Sequence, residues 1–291
     1  MRRMVLCSAA LVVVASCAGG DQQSAATLDS SSTESAIALS EAPIVTITAK
    51  DFAFEMPDTI VGGLTTIRLL NQGPELHHMQ LIKLGAGKTF ADYTTALKEM
   101  KPGTPPPTWM SDVAGPNSPV PGGETRLTQV LEPGHYAVVC FIDTPDKVPH
   151  FVKGMVHSLV VTPGNPSATV ATPTADVEVT MSDYAWSVTP AITAGKHVIK
   201  LMNTAAQPHE MFIAKLEPGK TVADLMKWAE SYKEPMPATA MGGITAMPNG
   251  AVAYLAVDLP VGDYVLLCFI PDAKDGKPHV AHGMVQTLKV S

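Results

Sequence analysis

"LEPGHYAVVCFI", residues 131–142, returns as "LPVGDYVLLCFI" at 259–270. In each copy a glycine–x–tyrosine step opens a near-continuous apolar run, Tyr136–Phe141 and Tyr264–Ile270, that carries one cysteine. Such runs, set off by proline and glycine, read as strands buried in the core of a sandwich.

The repetition extends outward in both directions. "VTITAKDFAFEM" from Val45 matches "VEVTMSDYAWSV" from Val177, and "IRLLNQGPELHHMQLIKLGAGKTFADY" from Ile67 matches "IKLMNTAAQPHEMFIAKLEPGKTVADL" from Ile199. The chain therefore reads as a tandem duplication, residues 43–163 and 175–291, joined at 164–174 by a stretch of proline, threonine and small residues. Apolar–polar alternation predicts further strands at Val45–Thr48, Ile67–Leu70, Met79–Leu84, Leu127–Leu131 and Met155–Val161, with counterparts in the second half. One helix interrupts each copy. In "TVADLMKWAE", Val222, Leu225, Met226 and Ala229 share a face, and Thr221 with Asp224 has the spacing of a capping box. "TFADYTTALKE" repeats the pattern with Phe90, Tyr93 and Leu97, and both helices are expected to lie as lids on a sheet.

The 291 residues suffice for two ordinary domains, and 46% hydrophobic against 16% charged residues favours folded, core-rich ones. A net charge of −7, with no basic cluster beyond Arg2 and Arg3, argues against a nucleic-acid partner. Residues 1–16 read as a lipoprotein signal peptide: two arginines, an apolar run too short to span a bilayer, then Val14-Ala15-Ser16-Cys17. That tetrapeptide resembles a bacterial lipobox, which implies lipidation of Cys17, export, and anchorage at a bacterial membrane on its periplasmic or cell-surface side. Residues 17–42 are small and polar and read as a flexible tether.

After such processing one cysteine remains in each half besides Cys17, so neither half can form an internal disulfide. A lone thiol in an oxidising compartment needs protection or a use. The repeat filters the candidates. Of nine histidines, only His77 with His209 and His150 with His279 coincide between halves. Cys140 pairs with Cys268 and Met155 with Met284, whereas His78 faces Glu210 and His135 faces Asp263. Two imidazoles, one thiolate and one thioether form a ligand set suited to a blue copper centre: His, Cys and His in a trigonal plane with a weak axial Met. Met79 and Met211 read as core. Met110 and Met241 coincide in the alignment, and with Met236 and Met247 they offer either loop packing or secondary thioether contacts.

In these residues the chain resembles the cupredoxin family. Asn71 to His77 and Asn203 to His209 match its early "N…PH" stretch, and Gly134-His135-Tyr136 to Cys140 and Gly262-Asp263-Tyr264 to Cys268 match its approach to the cysteine. The resemblance implies an all-β protein of two tandem cupredoxin-like Greek-key β-sandwiches, each with a short helical insert and one type 1 copper. Nine residues separate Cys140 from His150 and ten separate Cys268 from His279, a loop more like that of copper nitrite reductases than that of small plastocyanin-like carriers. Multicopper oxidases and nitrite reductases place a histidine directly before the cysteine or use His-x-His pairs. Here Val139 and Leu267 precede the cysteines and no His-x-His occurs, which argues against an enzyme. The expectation is a lipid-anchored electron-transfer protein exchanging electrons with a redox protein donor or acceptor. The alternative is copper capture or delivery without electron shuttling.

Overall fold

The computed structural model describes residues 41–101, 104–165, 170–233 and 235–291. The signal peptide, Cys17 and nearly all of the tether lie outside them. The first half runs β1 (Ile44–Lys50), β2 (Ala53–Glu55), β3 (Thr59–Val61), β4 (Gly63–Asn71), β5 (Gln80–Leu84) and α1 (Phe90–Glu99). It continues through β6 (Met110–Val113), β7 (Glu124–Leu131), β8 (Gly134–Val139) and β9 (Val156–Thr162). The second half repeats the order without a partner for β3: β10 (Val177–Ser182), β11 (Ala185–Thr189), β12 (Gly195–Asn203), β13 (His209–Leu216) and α2 (Val222–Ala229). Then come β14 (Ala238–Met247), β15 (Val252–Leu259), β16 (Gly262–Leu267) and β17 (Val285–Val290).

The protein is all-β with two helical inserts. Each half folds as two sheets face to face: β2-β1-β4-β7 over β3-β9-β8-β5-β6, and β11-β10-β12-β15 over β14-β13-β16-β17. Period-2 patterning makes this possible, because alternate residues of β1 and β10 are buried and exposed while β8 and β16 are buried almost throughout. Cys140, Met155, Ile47, Leu69 and Leu81 share the first core, and Cys268, Met284, Val179, Leu201 and Ile213 share the second. The tyrosine of the opening motif anchors its strand in both halves: Tyr136 donates its hydroxyl to the Glu132 carbonyl at 2.7 Å, and Tyr264 to that of Pro260 at 2.6 Å.

Both helices begin with the expected capping box. Thr89 and Asp92 exchange side-chain and backbone hydrogen bonds, and so do Thr221 and Asp224. Tyr93 and Leu97 cover the outer face of β5 and β8, and Leu225 covers the equivalent face formed by Phe212, Ala214, Val265 and Leu267.

The halves join into one eight-stranded sheet through β7 and β15. Leu127 lies opposite Leu255, Thr128 opposite Tyr254 and Arg126 opposite Ala256. Leu127 and Leu255 are counterparts in the repeat, so a local two-fold axis passes between them. A second set of contacts obeys the same axis. Pro116 bridges its counterpart Ile244, Asn117 N–H donates to the Gly243 carbonyl, and Thr245 N–H donates to that of Gly115. Self-complementary pairing of this kind is the signature of an isologous interface. Close approach occurs across the joint at Gly242, where a Cβ would collide with Thr125, and within each half, where a Cβ on Gly115 or Gly243 would collide with the carbonyl oxygen of Met79 or Met211, respectively.

The structure corrects one correspondence. Met110 pairs with Leu84 in β6, and Ala238 pairs with Leu216 in β14. The counterpart of Met110 is thus Ala238, not Met241, because the loops before these strands differ in length. Met241 instead packs on the second core.

Candidate metal centres

Each half carries its candidate ligands at one end of the sandwich. His77 precedes β5 and His209 opens β13. Cys140 and Cys268 follow directly on β8 and β16, where the strand leaves the sheet. The long loop then folds back on itself in the same way twice. His150 N–H donates to the Ile142 carbonyl and Met155 N–H to that of His150; His279 N–H donates to Ile270 and Met284 N–H to His279. These bonds lock cysteine, histidine and methionine into one hydrogen-bonded turn. Asn71 and Asn203 pin the opposite loop: Asn71 Nδ2 donates to the Glu75 and Pro119 carbonyls, and Asn203 Nδ2 to those of Gln207 and Met247.

All eight side chains are 0% exposed. His77 Nδ1 and His150 Nδ1 stand 3.1 Å apart, with Cys140 Sγ 3.5 Å from the latter. In the second half the two Nδ1 atoms of His209 and His279 are 3.0 Å apart, and Cys268 Sγ lies 4.0 and 3.3 Å from them. An ion bound in plane by two nitrogens at about 2.0 Å and a sulfur at about 2.3 Å wants N–N and N–S separations of roughly 3.5 and 3.7 Å. The second triad falls close to that triangle, as do the His77–His150 and Cys140–His150 sides of the first. Met155 and Met284 are packed in the same cores as the cysteines, beside the histidines whose carbonyls they bond.

The surrounding carboxylates decide which ring nitrogens are free. His77 Nε2 faces Asp51 at 3.2 Å, His150 Nε2 faces Glu75 at 2.9 Å, and His209 Nε2 faces Asp183 at 3.0 Å. An ionised carboxylate only accepts, so the hydrogen sits on Nε2 and the Nδ1 lone pairs point inward at one another and at sulfur. Burial reinforces this: it lowers the pKa of His77 and His209, and takes those of His150 and His279 down to about 4. Burial pushes the Cys140 thiol up to about 12 and the Cys268 thiol higher still. A pocket of converging lone pairs around a thiol that does not ionise by itself fits a cation whose charge draws the proton off sulfur. The soft sulfur and imidazole donors suit copper.

Asp51 and Asp183 were not singled out in the sequence, yet they coincide in "KDFAF" and "SDYAW" and the repeat carries their signal. His78 and Glu210, mismatched in type, do one job: each accepts the N–H of the residue after the cysteine, Phe141 at 2.9 Å and Phe269 at 2.5 Å. Glu210 also takes an amide hydrogen from Asn117 across the interface at 3.2 Å. Met79, two residues after His77, donates its N–H to the neighbouring Pro116 carbonyl at 3.0 Å. A short route of bonds and hydrogen bonds therefore connects His77 with His209.

No protein-family model matches the chain, and no curated protein matches it in sequence. Among solved structures it is similar to an auracyanin from Roseiflexus castenholzii at 20% identity and TM-score 0.28, over 42% of this chain and 98% of that one. It is similar to a multicopper oxidase at 16% identity and TM-score 0.24, over 85% and 88%. A copper nitrite reductase from Nitrosomonas europaea aligns at 12% identity and TM-score 0.25, over 86% and 94%. Alignments this loose carry no argument about function, which rests on the donor geometry.

Proposed function

We propose that this chain is an exported, lipid-anchored electron carrier of cupredoxin type with one type 1 copper in each half. The observation that supports it best is the twin His–Cys–His triad, fully buried, with its nitrogens already aimed. His77, Cys140 and His150 would hold one ion and His209, Cys268 and His279 the other, with Met155 and Met284 offering a further thioether donor to each. A copper held there supplies one-electron redox chemistry. The protein's part is to keep the site unchanged through it. The hydrogen-bonded loop fixes sulfur and nitrogen, the carboxylates hold the imidazole tautomers, and burial excludes water, so little rearranges when charge arrives or leaves.

A non-enzymatic role is favoured by Val139 and Leu267, which leave no histidine beside either cysteine to wire it to a second metal. The Asn117–Glu210 bond supports passage of electrons between the halves, and the partner is a redox protein docking near one triad. Anchorage rests on Cys17, and its replacement by Ala should release the protein from membranes. Cyclic voltammetry of the copper-loaded chain tests the carrier reading. Reversible exchange at two centres is expected, and slow, irreversible exchange would favour a copper-capture role instead.

A further inference from the structure

Lys153 and His282 hold the same place in the two halves, three residues after the second ligand histidine, and their difference in chemistry points to a site. In the first half Lys153 Nζ bonds Asp146 Oδ2 at 3.0 Å and lies 5.1 Å above the centroid of the Phe52 ring. Tyr184 is the counterpart of Phe52, and His282 stands against it with ring centroids 5.2 Å apart. His282 Nε2 faces Asp275 Oδ1 at 3.1 Å. Where the first half supplies a tethered ammonium, the second presents an imidazole with two carboxylates. Asp272, Asp275 and His282 each bring one donor atom within 4.8 Å of the others.

A second observation comes from the ring behind them. His279 Nε2 is fully buried and has no hydrogen-bond partner. It is aimed at Asp272 Oδ2, 3.7 Å away, which is beyond hydrogen-bonding range. Its counterpart His150 bonds Glu75, but the residue matching Glu75 is Gln207, whose amide goes to Asp272 instead. Asp272 is 3% exposed and also accepts from the Tyr184 hydroxyl and the Lys274 N–H, so a nearly buried carboxylate has three neutral donors and, among the described residues, no lysine or arginine paired with it. The Lys277 ammonium is two-thirds exposed and 3.5 Å from Asp275 Oδ2.

We propose that Asp272, Asp275 and His282 form a further site for a divalent d-block cation, distinct from the buried triad and reached from solvent through the exposed Asp275 and His282. The imidazole selects zinc or copper(II) over calcium or magnesium, which take oxygen ligands. No donor of the triad takes part, so the proposal stands whether or not the triads hold copper.

Zinc is the probe, because it is silent against the copper absorption. The full chain, loaded with copper and dialysed against zinc with excess calcium, should retain one zinc beyond its copper. The Asp275→Asn/His282→Gln double variant should retain none, with the visible spectrum unchanged. Both positions are solvent-exposed, and Asp272 is left in place because it holds Tyr184 and Gln207. If copper fails to load, zinc can enter the triads of the metal-free chain, and the variant should still bind one zinc fewer than the wild type. Equal zinc retention by both proteins, or displacement of zinc by calcium, overturns the site.

Discussion

Loading a metal ion into either triad should release one proton at neutral pH, and the reason lies in how the pocket is buried. Burial holds the Cys140 thiol at about 12 and the Cys268 thiol above it, so both carry hydrogen until a metal displaces it. The same burial depresses all four ligand imidazoles, His150 and His279 to about 4, so they are already neutral and lose nothing. Binding then exchanges one thiol proton per ion. Apparent affinity should climb tenfold, about 1.4 kcal/mol, for every pH unit across roughly pH 6 to 9. Below the imidazole range the dependence steepens, because rings and thiol all compete with the metal. Cobalt(II), which does not oxidise thiols, can be titrated against a competing chelator at several pH values. Its thiolate charge-transfer absorption reports the triads alone, and calorimetry in buffers of differing ionisation heat counts the protons directly. A flat profile would mean thiolates that exist before the metal arrives. A slope near two would mean a charged ring at neutral pH. Either result refutes the picture of neutral, inward-facing donors.

Three further outcomes follow from the same contacts. Glu75→Ala removes the acceptor that holds the His150 tautomer and should weaken metal binding in the first half by about 10–100-fold while sparing the second, as read by chelator competition in single-site variants. The metal-free chain should lose stability as pH falls from the ordinary histidine value of 6.5 toward 4. Buried rings resist charging, at a cost of at most about 3 kcal/mol each for His150 and His279. His77, His78 and His209 add to that loss. Glu210 and Asp112, raised by burial to about 7 and about 6, act in the opposite sense, but the five rings outweigh them; a urea midpoint that rises on acidification contradicts this. Leu127→Ala and Leu255→Ala should each cost about 2–5 kcal/mol in denaturant unfolding, because both leucines are buried at the joint between the halves; a loss below 1 kcal/mol would show that the joint is not part of the cooperative fold.

Much of this was legible in the sequence because the chain is its own alignment. Comparing the halves isolated the paired ligands from five other histidines, and period-2 patterning located most strands. The capping boxes at Thr89 and Thr221 appear as their spacing implies. Strands β6 and β14 were missed for a physical reason. "ATAMGGITAM" has no alternation, since β14 is buried nearly throughout and meets the first half at Pro116, Asn117 and Pro119 as well as its own sheet. The alignment of Met110 with Met241 failed in the same region, where loop lengths differ. The joint at Leu127 and Leu255 was also hidden, because one partner of a self-complementary contact reads like any buried strand residue. Asp272, Asp275 and His282 escaped notice since the repeat was used to find sameness, and their meaning lies in a difference.

The central claim is that six nitrogen and sulfur donors close around two metal ions. The most direct measurement is copper content together with the visible spectrum of the copper(II)-loaded full chain. Two coppers held by the triads, with an intense thiolate-to-copper absorption, are expected. That absorption should fall by about half in Cys140→Ser or Cys268→Ser, one of two centres being lost, and vanish in the double variant. A colourless copper(II) form, or a band that survives loss of both thiols, would contradict the account.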